Sequence, residues 1–244
     1  MSVQLSPATI EVLENFASIN KGLMFREGKR QRTVSPFKTI CADVELEEDI
    51  PSSFGIYDLN NLIEVFTLHS TQTPAVSYKE PDLIIKISDT ETITFRCCDP
   101  KSLRFPPYKE IQLGKRDVAD VEFDLSQEML SRILRVTSIL KSESIVVEGN
   151  GTILSLTAVG FRDRNRRRTP WKDSNESYKS SNQYSLEVKK TSQVCRMVFR
   201  VENWKMMPGA YRVQISLEGI AKFENLKRKL TYWLALEVDR KTQK

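Results

Sequence analysis

Histidine is almost missing. His69 is the one imidazole in 244 residues, so general acid–base chemistry by that group has a single candidate, at the end of a predicted helix. There is no glycine-rich phosphate loop, no nucleophile elbow and no His/Cys spacing suited to a metal. The acidic run DVELEED at 43–49 is too strand-like and continuous for a carboxylate metal cluster. These absences argue against an enzyme, and neither cofactor nor metal is expected. The cysteines, Cys41, Cys97, Cys98 and Cys195, match no zinc site or disulfide framework, so reduced thiols in a cytosol are expected. No run of about 18 apolar residues occurs, which argues against a membrane span. The opening MSVQLSPATIEVLENF lacks the basic start and apolar block of a secretory leader.

What is present suits a folded chain. Forty per cent of residues are hydrophobic and 9% aromatic, enough to give one large or two ordinary domains a real core. The net charge of +5 is unevenly spread. FRDRNRRRTPWK at 161–172 carries six basic residues against one acidic, so the rest of the chain is neutral overall. Such segregation predicts separate basic and acidic zones on the surface.

Ser6-Pro7 is a strong helix start, a hydroxyl cap followed by a residue that needs no amide partner. Ile10, Leu13, Phe16 and Ala17 follow at helical spacing, and Lys21-Gly22 is the expected stop, with the glycine left-handed. Strand-like runs come next, then a helix LNNLIEVFTL capped by Asp58, then AVSYKE, DLIIKISD and TITFRCC. Residues 99–117 hold three prolines and a glycine among charges and read as a linker. The pattern then restarts. A strand VEFDL leads to Ser126, the cap of an amphipathic helix, and a hairpin turns at Asn150-Gly151. QYSLEV and CRMVFRV, a short helix in VENWKMMPG and three closing strands complete it. Leu5 falls on Leu125, Ser6 on Ser126, Ser18 on Ser138, Ile19 on Ile139 and Lys21 on Lys141, a constant offset close to half the length. A duplicated unit is therefore predicted, with domains at 1–108 and 109–244. Each should be α+β, two helices packed on antiparallel sheets.

The segments NFASINKGLMF, FGIYDLNNLIEVFTL, KMMPGAYRV, AKFEN and ALEVD stand in that order between about Leu5 and Asp239. They resemble the sliding clamps of T-even-type bacteriophages, the processivity factors of a phage DNA polymerase. The resemblance implies the α+β DNA-clamp fold and a homotrimeric ring, helices inward, around duplex DNA. It implies as partners the phage DNA polymerase, the clamp-loader ATPase and late-transcription factors, in the cytoplasm of the infected bacterial host, with no membrane.

A clamp that slides on any sequence must touch phosphates and not base edges. Lys21, Arg132, Arg135, Lys141 and Lys205 are the candidate channel lining, although Glu128 four residues before Arg132 also suits a helical ion pair. Ring closure needs sheet edges; TITFRCC, with Phe95 as an apolar anchor, and the hairpin around Gly151 are the candidates. Leu103, Phe105, Pro106 and Tyr108 of the linker offer apolar material to a partner peptide. The chain departs from the family pattern at 161–183, longer and more basic than expected. Arg164, Arg166, Arg167 and Arg168, with Trp171, suit a loop that touches DNA. The rival reading is a non-ring nucleic-acid-binding protein that uses these arginines as its site.

Overall fold

In a computed structural model, residues 2–68, 74–106, 109–160 and 182–237 are described. The elements, in chain order, are β1 (Ser2–Gln4), α1 (Pro7–Ile19), β2 (Leu23–Phe25), β3 (Gly28–Val34), β4 (Ile40–Ile50), β5 (Phe54–Ile56), α2 (Leu59–Phe66), β6 (Ala75–Lys79), β7 (Asp82–Lys86), β8 (Thr92–Arg96), β9 (Val121–Leu125), α3 (Gln127–Leu140), β10 (Ser144–Asn150), β11 (Ile153–Val159), β12 (Gln183–Lys190), β13 (Val194–Arg200), β14 (Tyr211–Ser216), β15 (Ile220–Asn225) and β16 (Leu230–Ala235). Single 3-10 turns occupy Pro100–Ser102 and Val201–Asn203.

The chain divides into two compact units. The first holds Met1–Ile111 with Lys205–Met207 and Arg228–Trp233; the second holds Gln112–Trp204, Pro208–Lys227 and Leu234–Lys244. A single cut at 108/109 leaves those two short C-terminal segments with the second half.

In the first unit α1 packs on α2, β3 and β4. One sheet runs β1-β6-β7-β8, and β3, β4 and the part of β16 in this unit form another. Leu13, Phe16, Phe25, Ile56, Leu59 and Leu83 lie at the centre, and Phe25, Phe54 and Tyr78 stack at 4.8 and 5.4 Å. In the second unit α3 packs on β11 and β12, which belong to a sheet ordered β12-β11-β10-β13; β14 pairs with β15 on one side and β9 on the other. Phe199, Trp204 and Phe223 meet edge to face at 5.6–6.2 Å.

Of the three predicted caps the two serines form, whereas Asp58 stands at the start of α2 without a side-chain capping hydrogen bond, its carboxylate paired with Lys21 instead. Ser6 Oγ accepts the Thr9 amide at 3.2 Å, and Ser126 Oγ accepts the Met129 amide at 3.1 Å. The expected glycine stop does not form. Asn20, in extended conformation, ends α1, and its amide donates to the Phe16 carbonyl. Gly22 is absent from the left-handed glycines; it is small because Leu103 packs where a Cβ would stand. The left-handed stop belongs to α3, where Lys141 adopts φ 51° and ψ 42°.

Three further expectations change. The short helix in VENWKMMPG is one 3-10 turn, because Trp204, Met206 and Met207 are each drawn into burial straight after it. The two strands of the hairpin at Gly151 are interior to their sheet, whose outer strands are β12 and β13. Gln183, read both as the end of the basic loop and as the first residue of the strand QYSLEV, belongs to the strand and opens β12.

The acidic run has internal partners. Asp43 takes Arg30 at 2.7 Å and Arg32 at 2.6 Å, and Glu45 takes Lys229 at 2.6 Å. Glu48 accepts the Ser6 amide and the Thr9 hydroxyl at the start of α1. Burial works against the Glu48 charge, but these hydrogen bonds outweigh it and hold the carboxyl below its ordinary range. Much of the predicted acidic zone is thus a set of folded-state contacts.

Candidate nucleic-acid interface

Helix α3 buries Leu130, Ile133 and Thr137, half-buries Met129, Leu134, Val136 and Leu140, and exposes the rest. Positions three and four apart share a helical face, so Ser131, Arg135 and Ser138 stand together in solvent with Arg132 at the flank, all four exposed. Arg132 is bound by Glu128 at 2.7 Å, the helical pair that the spacing suggested. Arg135 and Lys141 are exposed and form no ion pair among the described residues. Two cations, one in the C-terminal half of α3 and one at its cap, are therefore exposed to solvent. Ile139, 67% exposed, stands beside them.

Helix α1 presents a different surface. Its exposed positions include Glu11, Glu14 and Ser18 and no basic residue. The cations beside it come from elsewhere in the first unit. Lys205 donates its ammonium to the Ser18 carbonyl, where the helix dipole is negative. Asn15 donates to the Lys205 carbonyl at 2.8 Å and accepts from Tyr232 at 2.7 Å. Arg228 pairs with Glu11 at 2.8 Å. Lys21 pairs with Asp58 at 2.7 Å and lies 6.0 Å from the centre of the Tyr57 ring. The hydrogen bond with Asp58 raises the Lys21 pKa and lowers that of Asp58.

The structure thus brings Arg132, Arg135 and Lys141 together on α3, and Lys21 and Lys205 together at the C-terminal end of α1. Arg228 was missed, although the basic segment KFENLKRK carried a signal for it. Arg164, Arg166, Arg167, Arg168, Trp171, Tyr108 and His69 lie outside the described residues.

Phe95 is half-exposed on β8, the outer strand of its sheet. Leu103 is half-buried and packs over Gly22 and Gly55. Pro106 is buried, and Phe105 is 38% exposed with the Arg26 guanidinium 5.6 Å from its ring centre. An open cleft of about 210 Å³ lies against Lys21, Pro36, Tyr57, Leu103 and Arg104. Next to Pro36, Phe37 is 88% exposed at the tip of the β3–β4 turn. No group of three or more His, Cys, Asp or Glu among the described residues could hold a metal, and no helix among them is long and apolar enough to cross a membrane.

Solved structures share this architecture over almost the whole chain. The complex of the C-terminal region of FEN-1 with A. fulgidus PCNA aligns at a TM-score of 0.66 and 14% identity, covering 98% of this chain and 99% of that one. Proliferating Cellular Nuclear Antigen from Entamoeba histolytica aligns at 0.65 and 14%, covering 97% and 98%. The fold is that of a sliding clamp. Sequence adds the kinship. The family described as DNA polymerase processivity factor matches residues 6–95. The sliding clamp of Escherichia phage RB69 is 28% identical over 241 residues, 97% of this chain and 98% of the relative. That of Enterobacteria phage T4 is 28% identical over 244 residues, covering 97% and 98%, and that of Vibrio phage KVP40 is 25% identical over 237, covering 96% and 99%. The resemblance to T-even-type clamps is borne out along nearly the full length. Together these matches support a sliding clamp, a processivity factor for DNA polymerase.

Proposed function

We propose that three copies of this chain close into a ring around duplex DNA and tether the phage replicative polymerase, without catalysis of their own. The observation that carries this reading is the solvent face of α3, where Arg135 and Lys141 stand exposed without ion-pair partners among the described residues. Phosphates need no more than loosely held, long cationic side chains, and contacts of that kind let a ring slide. The building blocks of the ring are the domains at 1–108 and 109–244, and Lys21, Arg132 and Lys205 are weaker lining residues because each already has a partner.

Ring closure calls for a head-to-tail contact that returns on itself after three copies. Two outer strands suit it. β8 and β12 have no buried residue, whereas β1 has three residues and the outer side of β13 receives the Glu237 amide at the Val198 carbonyl. Pairing of β8 from one copy with β12 from the next puts Phe95 at the joint. A partner peptide, from the polymerase, the clamp-loader ATPase or a late-transcription factor, takes Phe105 and Phe37 as its apolar contacts, while Leu103 anchors the linker. The setting is the cytoplasm of the infected host.

The test is topological. Loaded by the phage clamp-loader ATPase and ATP onto a nicked circle, the protein should stay bound in high salt and leave within minutes once the circle is cut. Equal retention on cut and uncut DNA would instead mark a surface binder that works through the arginines at 164–168.

A further inference from the structure

Among the described residues, Arg32 in the first unit and Glu218 in the second each hydrogen-bond the linker backbone from outside it. In the first unit the Arg32 guanidinium donates from Nε to Asp43 at 2.6 Å and from NH1 to the backbone carbonyl of Lys109 at 3.0 Å. Arg32 and Asp43 have side chains only 6% and 7% exposed. Burying two opposite charges to hold one carbonyl seldom adds net stability compared with apolar side chains of equal volume, but it does fix geometry. In the second unit the Glu218 carboxylate accepts the Lys115 backbone amide and the Arg116 Nε, the latter at 3.0 Å. Gly114, at φ 77°, lies so close to that carboxylate that a Cβ would collide with it. Here the charges are wetter: the Arg116 side chain is 59% exposed and that of Glu218 28%. Screening by salt acts strongly on exposed pairs and weakly on buried ones.

We propose that Arg32 and Glu218 are the positioning residues of the linker, a salt-resistant latch on Lys109 and a salt-releasable latch on Lys115. The linker is then a strap with one permanent end and one adjustable end. Its use, to set the path along which a partner peptide meets Phe105, rests on the function proposed above; the latches themselves do not.

Trypsin cuts after Lys109, Lys115 and Arg116, and a native chain is cut in proportion to how often each site opens. The test therefore digests the full chain briefly, with each cut quantified by mass spectrometry, and needs no ring, DNA or polymerase. In wild type, raising NaCl from 0.1 to 1 M should speed cutting after Lys115 and Arg116 about tenfold relative to Lys109. Glu218→Ala, which removes the accepting oxygens, should do the same after Lys115 at low salt, with a smaller effect after Arg116 because Asp120 still holds it. Arg32→Lys keeps the charge but loses the planar fork, and should speed cutting after Lys109 about tenfold with Lys115 unchanged. Should Arg32→Lys fold poorly, Arg32→Met with Asp43→Asn removes the latch without stranding a buried carboxylate. Equal response of the two ends to salt, or no response of Lys109 to either Arg32 variant, overturns the proposal. Failure of the ring test with these responses intact would count against the function alone.

Discussion

Helices α1 and α3 stand at matching places in the repeat expected from the sequence, and they present different surfaces. α1 buries six side chains, Thr9, Ile10, Val12, Leu13, Phe16 and Ile19, whereas α3 buries three. α1 carries carboxylates outward and borrows cations from the C-terminal half; α3 carries its own arginines. Even the echo of Ile19 and Ile139 has diverged, the first buried and the second 67% exposed. α1 is the more deeply buried helix, and α3 presents the exposed arginines.

The sharpest way to break this contrast is to hollow out each helix. Phe16→Ala in α1 should cost about 3–5 kcal/mol and Ile133→Ala in α3 about 2–5, since each removes a fully buried side chain. Chemical denaturation checks the order, and equal costs would erase the distinction. Next comes the charged face. Arg135→Ala with Lys141→Ala should leave the melting temperature within a few degrees and reduce the salt slope of DNA binding by about two, one for each lost phosphate contact. An unchanged slope would remove both from the lining. Glu14→Lys should move α1 toward α3 and lengthen residence on DNA by about twofold, read by dissociation after dilution.

A fourth difference is pH. Glu48 supports the start of α1, and among the described residues no such distant carboxylate supports Ser126. The Glu48 pKa is lowered in the folded chain, so its contribution is fully present above the ordinary glutamate range and is lost as pH falls through the lower folded value. Glu48→Gln should therefore cost about 1 kcal/mol at pH 7 and progressively less below pH 4. The smallest effect is expected from Glu128→Ala, which frees Arg132 and should tighten DNA binding by a few tenths of a kcal/mol.

Local chemistry was legible and long-range chemistry was not. Ser6 and Ser126 could be read as caps because the accepting oxygen and the donating amide are three residues apart. Glu128–Arg132 was visible for the same reason, and Asn150-Gly151 announced its own turn. The partners of DVELEED could not be read, since Lys229 and the start of α1 reach it only through the fold. The helix expected in VENWKMMPG failed because burial of Trp204 and the two methionines overrode the local pattern. Gly22 was mistaken for a helix stop because a glycine needed for close packing against Leu103 looks the same in sequence as one needed for a left-handed turn. Lys205 was picked for its charge, but nothing near it in the chain reveals that its ammonium is held by the end of α1.

The ring is the claim on which the roles of Arg135, Lys141 and Phe95 all depend. Light scattering of the full chain at micromolar concentration measures it directly. Three times 28.1 kDa, about 84 kDa, is the mass the ring predicts, reduced toward a single copy by a charged substitution at Phe95. A strict 28.1 kDa monomer across the whole concentration range would contradict it.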